Sequence, residues 1–401
     1  MHALNGLRCR APHFVAMCGI AAALTACGTD SSTPDSNAHA GSGQNSAGNG
    51  PGPGNGGSGP GNLTTASASV ARRLSRMELS NVVRDVLGDD TNAPAKFLND
   101  DVYTPFDNDY SRQEASSALI ESLEAAADDV AARAVLPANR AKIVPCTPTG
   151  PGDAACLRST IESVGLKLYR RPLSEEQISA YLTLQSFATE VNADVPHDFY
   201  TAVNLVLRSM LQDPEVLYRI ETGTPTGEPG IFKLDSYEVA SRLSFLLWGS
   251  GPDDALLASA KSGELLDAAT RGTAAARLLA SPQARGQLER FHAMWLGYRA
   301  IPASAELASA FNLETSKLLG KVVFDQPSSY LDLFTSTQTY VNGLLATQYG
   351  LTAPAGGEGW VNYADDKRAG ILSHGSVLAA FSKFSDTSPT QRGIFVQTRL
   401  L

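Results

Sequence analysis

Histidine, the side chain that most often moves protons or holds metals near neutral pH, is scarce, with six in 401 residues. His2, His13 and His39 lie in an N-terminal stretch unlike the rest, which leaves His197, His292 and His374. None has a second histidine within a helical turn and H-E-x-x-H is absent, so the zinc-protease helix is excluded. His292 shares an apolar run with Phe291, Trp295 and Leu296 and reads as a packed, hydrogen-bonded residue. His374, in Leu372-Ser373-His374-Gly375, precedes a loop and is the more suggestive of the three. Asp107-Asn108-Asp109 with Ser111 clusters oxygen ligands like the opening of a calcium loop. The glycine and distal glutamate of an EF-hand are missing. Asp107 and Asp109 are thus marginal metal candidates beside the plainer reading of a turn and helix cap.

Other catalytic patterns are also thin. No G-x-S-x-G elbow occurs, which disfavours an α/β-hydrolase. Acidic pairs stand at Asp100-Asp101, Asp128-Asp129, Glu175-Glu176, Asp253-Asp254 and Asp365-Asp366. Glycosidases need two carboxylates about 5–10 Å apart across a cleft, which adjacency does not supply. Glu175-Glu176 and Asp253-Asp254 fall at helix starts, where negative charge suits the helix dipole. Arg219 and Arg242 lie among apolar neighbours and call for acidic partners, with Asp85, Glu221 and Glu238 as candidates. Trp248, Trp295 and Trp360 could line a sugar cleft, but two of them hold core-like helical positions. The catalytic residues therefore stay unassigned, and no cofactor-binding residue is expected in this chain.

The scaffold is easier to read. Residues 1–26 carry Arg8 and Arg10, then an apolar stretch from Phe14 to Ala26. That stretch is too short for a mature membrane span and reads as an export signal. Leu24-Thr25-Ala26-Cys27 is similar to the lipobox of bacterial lipoproteins, making Cys27 the lipidation site, and Gly28 after it fits outer-membrane sorting. Acyl chains gain about 0.8 kcal/mol per buried CH₂, so two or more hold a protein durably on a membrane. Residues 27–67 form a tether of Gly, Ser, Pro and Asn, too polar to offset its ordering entropy. Gly52, Gly54 and Gly57 match G-x-G-x-x-G there, but no strand precedes them and no helix follows, so the match is noise. Cys146 and Cys156 flank a Pro/Gly-rich loop and read as a disulfide in an oxidising compartment. The net charge of −9 repels phosphate backbones and argues against nucleic acid.

Beyond the tether the punctuation is helical. Ser75-Arg76-Met77-Glu78 and Ser174-Glu175-Glu176-Gln177 are capping boxes, and Asp235 with Glu238 is a third. Leu79, Val82, Val83, Val86 and Leu87 share one face before Gly88. Asp213-Pro214, Ser281-Pro282 and Ser388-Pro389 are cap-plus-proline starts. Alanine-rich helices are expected over 115–134, 157–169, 268–279 and 287–297, with one short strand pair allowed around 359–363. The fold class is mainly α, with two packed helical units, 68–221 and 231–401, the second breaking off in mid-helix at Leu401 as a truncated unit would. Their boundary falls in the Gly/Pro/Thr-rich stretch 222–230.

Several segments in sequence resemble one exported bacterial series of consecutive domains of unknown function (DUF fifteen-eighty-seven, fifteen-ninety-five, fifteen-ninety-two and fifteen-eighty-eight). They include Arg72-Arg73-Leu74-Ser75-Arg76-Met77-Glu78-Leu79, Tyr169-Arg170-Arg171-Pro172-Leu173-Ser174, Asp213-Pro214-Glu215 and Ala240-Ser241-Arg242-Leu243-Ser244-Phe245. Further matches are Trp295-Leu296, Tyr340-Val341-Asn342, Arg368-Ala369-Gly370-Ile371-Leu372 and Ser388-Pro389 with Arg392-Gly393. The resemblance implies no established activity. Longer members often carry a downstream C-x-x-C-H haem motif, which this chain lacks, so covalent haem is expected only in a downstream segment. Two functions follow as expectations. The preferred one is a helical scaffold or binding module, lipid-anchored in the cell envelope and serving a cytochrome-like domain or redox protein. The alternative is an envelope enzyme acting on polysaccharide or another polymer.

Overall fold

All three capping boxes start helices where the sequence places them: Arg76–Leu87, Glu175–Leu182 and Ser236–Trp248. In each, the cap side chain accepts the N3 backbone N–H while the N3 side chain accepts the cap N–H, satisfying two otherwise orphaned donors. Gly88 and Gly249 end the first and third in the left-handed conformation, which glycine adopts without a Cβ penalty. In this computed structural model the described residues are 71–401, apart from 98–104, 110–112, 114, 192–195, 327 and 384–385. The leader, Cys27, the tether, Asp100-Asp101 and Ser111 lie outside them.

The chain is mainly α-helical. The expected alanine-rich helices run Ser117–Ala134, Ala154–Leu168, Ala268–Leu279 and Pro282–Trp295. Pro282 starts the last of these, but Ser281 makes no side-chain cap; its hydroxyl donates back to Leu278 O. Ser388 likewise precedes Pro389 without a side-chain cap. Asp213 does cap Pro214–Leu217, accepting from Glu215 N. The allowed strand pair is present: Gln338–Asn342 pairs antiparallel with Glu358–Asn362. Two further two-residue pairs escape sequence reading. Arg72–Arg73 lies against Tyr218–Arg219, and Thr224–Pro225 against Phe232–Lys233. The second places a hairpin across the expected boundary at 222–230, where the sequence offered only a lack of helical periodicity.

Residues 64–401 group as one compact unit, whose buried apolar side chains fall into separate clusters. The largest gathers Leu79, Val83, Leu157, Phe199 and Leu207 from the first half and takes Phe245 from the second. Another, in the second half, centres on Leu296, Leu318, Leu333 and Ile371. Packing is tight where segments meet. A Cβ on Gly375 would sit 1.9 Å from a Phe311 ring carbon, and one on Gly370 would sit 2.3 Å from the Phe334 carbonyl carbon. Among the described residues no helix is long and apolar enough to cross a membrane.

Candidate functional site

The start of helix Arg76–Leu87, strand Tyr218–Arg219 and helices Ser236–Trp248 and Pro282–Trp295 enclose a cleft of about 720 Å³. One wall is apolar, built from Leu246, Leu247, Leu279, Phe291, Met294 and Phe324. Leu246 is 69% exposed there although it belongs to a well-formed helix. The same cleft is also lined by Arg72, Arg219, Arg242 and Arg290 with Glu78 and Glu221. That volume and mixed lining are typical of a site for a small molecule.

Each charge is placed by the fold. Glu78 is the N3 residue of its capping box and accepts the Ser75 N–H at 2.8 Å. Its side chain is 2% exposed, and burial pushes its carboxyl above the usual range while Arg219 and Arg290 pull it back. Arg290 donates to Ser75 Oγ at 3.1 Å and to Asp107 Oδ1 at 2.6 Å, so it binds the Pro282–Trp295 helix to that cap. Asp107 also faces Arg299 at 3.4 Å. Arg242 grips both oxygens of Glu221 at 2.6 and 2.5 Å, choosing one of the three acids the sequence offered. Asp85 instead accepts from Ser250 and Arg84, and Glu238 holds its own cap and the Thr222 and Gly223 N–H groups. Arg219 lies over the Phe245 ring at 5.0 Å, and its Nε has no hydrogen-bond partner among the described residues. Burial holds its guanidinium below the ordinary arginine value despite the opposing field of Glu78.

Asp107 is buried and its carboxylate meets two arginines, so the countercharge a cation would bring is already supplied by side chains. No group of three or more His, Cys, Asp or Glu able to hold a metal exists among the described residues. Asp109 makes an interaction within the protein. Cys146 and Cys156 are joined, with Cα atoms 5.8 Å apart.

The tryptophans do not meet in a cleft. Trp248 donates to Leu278 O and Trp295 to Arg399 O, while Trp360 packs edge-on against Tyr340. His292 is a buried structural residue bonded to Leu288 O and Tyr330 Oη, and His197 is exposed. His374 has a richer setting. It is fully buried beside Glu314, with Nε2 3.8 Å from Glu314 Oε1. Glu314 accepts from Thr339 and Tyr349, and Thr315 contacts Phe311 O, His374 Nδ1 and Ser376 Oγ. One hydroxyl satisfies all three by donating to the carbonyl and accepting from the other two, which makes Nδ1 the protonated nitrogen. Burial lowers the His374 pKa, Glu314 opposes this, and Arg368 adds to it. With Glu314, Thr339 and Ser376 also at zero exposure, the cluster offers no group to an outside substrate.

Arg170 escaped sequence reading except as part of a matching segment. It adopts φ 61° and donates to the carbonyls of Leu168, Val216, Glu215 and Tyr218. It thereby holds the end of one helix against the strand that supplies Arg219. Arg290 was missed too, because nothing in Leu288-Glu289-Arg290-Phe291 distinguishes a buried arginine from a solvated one.

Three family models match the chain in order. PSD3, a protein of unknown function (DUF1587), matches residues 72–136; PSD5, a protein of unknown function (DUF1595), matches 156–221; and PSD4, a protein of unknown function (DUF1592), matches 234–351. No curated protein and no solved structure matches.

Proposed function

We propose, for a chain that belongs to the DUF1587–DUF1595–DUF1592 series, that it is a helical binding module presented at the cell envelope on a lipid attached to Cys27. The observation that carries the binding role is the cleft, whose lining combines exposed apolar side chains with four arginines, Glu78 and Glu221. The lipid anchor rests on Leu24-Thr25-Ala26-Cys27 following an apolar leader, and service to a c-type haem or redox protein rests on the family resemblance alone. A test of the anchor is metabolic labelling with a palmitate analogue: the wild-type chain incorporates label in the membrane fraction, and Cys27→Ser does not. Label on the Cys27→Ser chain, or none on the wild type, removes the anchor. Titration with amphiphiles, described below, tests the cleft.

A polymer-cleaving enzyme is the second reading, since the cleft does bring two carboxylates together with Phe245 and Phe291. It is less well supported. Glu221 is held bidentately by Arg242 and Glu78 by the cap it closes, and no tryptophan lines the cleft to stack a sugar.

A further inference from the structure

The lining of the cleft carries more arginines than acids. Arg72, Arg219, Arg242 and Arg290 face Glu78, Glu221 and, just behind the lining, Asp107. Arg242 is matched by Glu221 and Arg290 by Asp107. Glu78 is the acid with the largest electrostatic effect on Arg219, but its carboxyl is held in its own capping box by the Ser75 N–H and makes no hydrogen bond to Arg219. Arg219 thus lies over an aromatic face, in a partly dry place, with a guanidinium nitrogen unbonded. A poorly solvated charge is stabilised by a bonded counterion, and a guanidinium presents a planar fork suited to carboxylate or phosphate oxygens.

Resting on the binding role given to the cleft, we propose that its ligand is a small amphipathic anion. A single carboxylate, sulfonate or phosphate group seats on Arg219, and an apolar body lies along Leu246, Phe291 and Met294. The volume of about 720 Å³ suits a small molecule rather than a folded partner. The apolar wall asks for hydrocarbon or aromatic surface, each buried CH₂ contributing about 0.8 kcal/mol. The guanidinium of Arg219, its Nε without a partner among the described residues, asks for an anionic head, which also distinguishes this ligand from a neutral sugar.

The experiment titrates the purified chain with 1-anilinonaphthalene-8-sulfonate and displaces it with dodecanoate, dodecyltrimethylammonium or dodecyl maltoside, each below its micelle concentration. Dodecanoate is expected to displace the dye at least about ten-fold more effectively than the cationic amphiphile, the loss associated with one charge-assisted hydrogen bond. Arg219→Gln should abolish that preference, and Leu246→Glu, on an exposed position, should weaken all binding. Equal displacement by the anionic and cationic amphiphiles, or an unchanged preference in a folded Arg219→Gln chain, overturns the anion assignment while leaving the binding role. Absence of dye binding, or dye binding indifferent to Leu246→Glu, overturns the binding role itself. If Arg219→Gln does not fold, the head-group series on the wild-type chain still decides the assignment.

Discussion

Arg290 and Asp107, 183 residues apart in the chain, meet at 2.6 Å with side chains 7% and 2% exposed. The same guanidinium reaches Ser75 Oγ, so one buried ion pair ties the second half of the molecule to the first helix cap of the first half. Deleting one partner strands the other charge, an effect of roughly 3–5 kcal/mol. Asp107→Ala is expected to lower stability by that order in urea unfolding. The double change Asp107→Ala with Arg290→Met should recover part of the loss, because no lone buried charge remains.

Arg170 supplies a second expectation. Lysine at this position has one ammonium where the native residue bonds four carbonyls, so Arg170→Lys leaves acceptors unsatisfied. A loss of roughly 2–4 kcal/mol is expected, at about 1–3 for each abandoned buried group. Because Tyr218 and Arg219 lie beyond those carbonyls, dye affinity at the cleft should fall as well, read at a temperature where both chains are folded.

Glu78 separates capping from charge. Its pKa is raised in the fold, so its contribution is fully present below the unfolded value near 4.5 and is lost as pH rises through the folded value. Gln can close the same capping box without a charge to bury. Glu78→Gln is expected to match or exceed the wild-type melting temperature at pH 8, whereas Glu78→Ala, with no side-chain cap partner, should fall by about 1 kcal/mol. A melting temperature for Glu78→Gln below that of Glu78→Ala would assign the stability to the carboxylate charge.

His374 and His292 act on the acid side. Burial lowers both pKa values from 6.5, so the unfolded chain takes up protons first as pH falls. Their contribution is complete above about pH 6.5 and declines below it, down to the folded values. Melting curves from pH 7.5 to 5 should show this decline, and His374→Gln should make it shallower. An unchanged slope in that variant would place the acid sensitivity elsewhere.

The Cys146–Cys156 bridge closes a loop of sequence separation 10. Its removal by paired serine substitution is expected to cost about 2–3 kcal/mol in the chain-entropy model. Reduction with dithiothreitol should lower the wild-type midpoint and leave the serine variant unmoved.

Local signals were the legible ones. Ser75 with Glu78, Asp235 with Glu238, and Gly88 act within a few residues of themselves, so their spacing alone specifies a helix end. For Arg242 the sequence offered three acids, and packing selects Glu221, just past the strand Tyr218–Arg219. The cleft was not legible. Arg219, Phe245 and Arg290 come from three separate segments, and only the packing of those segments decides that their side chains converge. Leu246 shows the same limit: its helix is plain from periodicity, but which apolar face stays uncovered depends on neighbours far away in sequence. Ser281 makes no side-chain cap, and its hydroxyl instead donates backward to Leu278 O.

Strand Arg72–Arg73 gives the molecule its point of entry. Arg72 pairs with Arg219, and the next backbone link runs from Leu74 N to Leu217 O. Force applied at Arg72 loads this short ladder, whose Arg72 and Arg219 also line the cleft. If the cleft binds as proposed, a seated guest should raise the force needed to peel that ladder open.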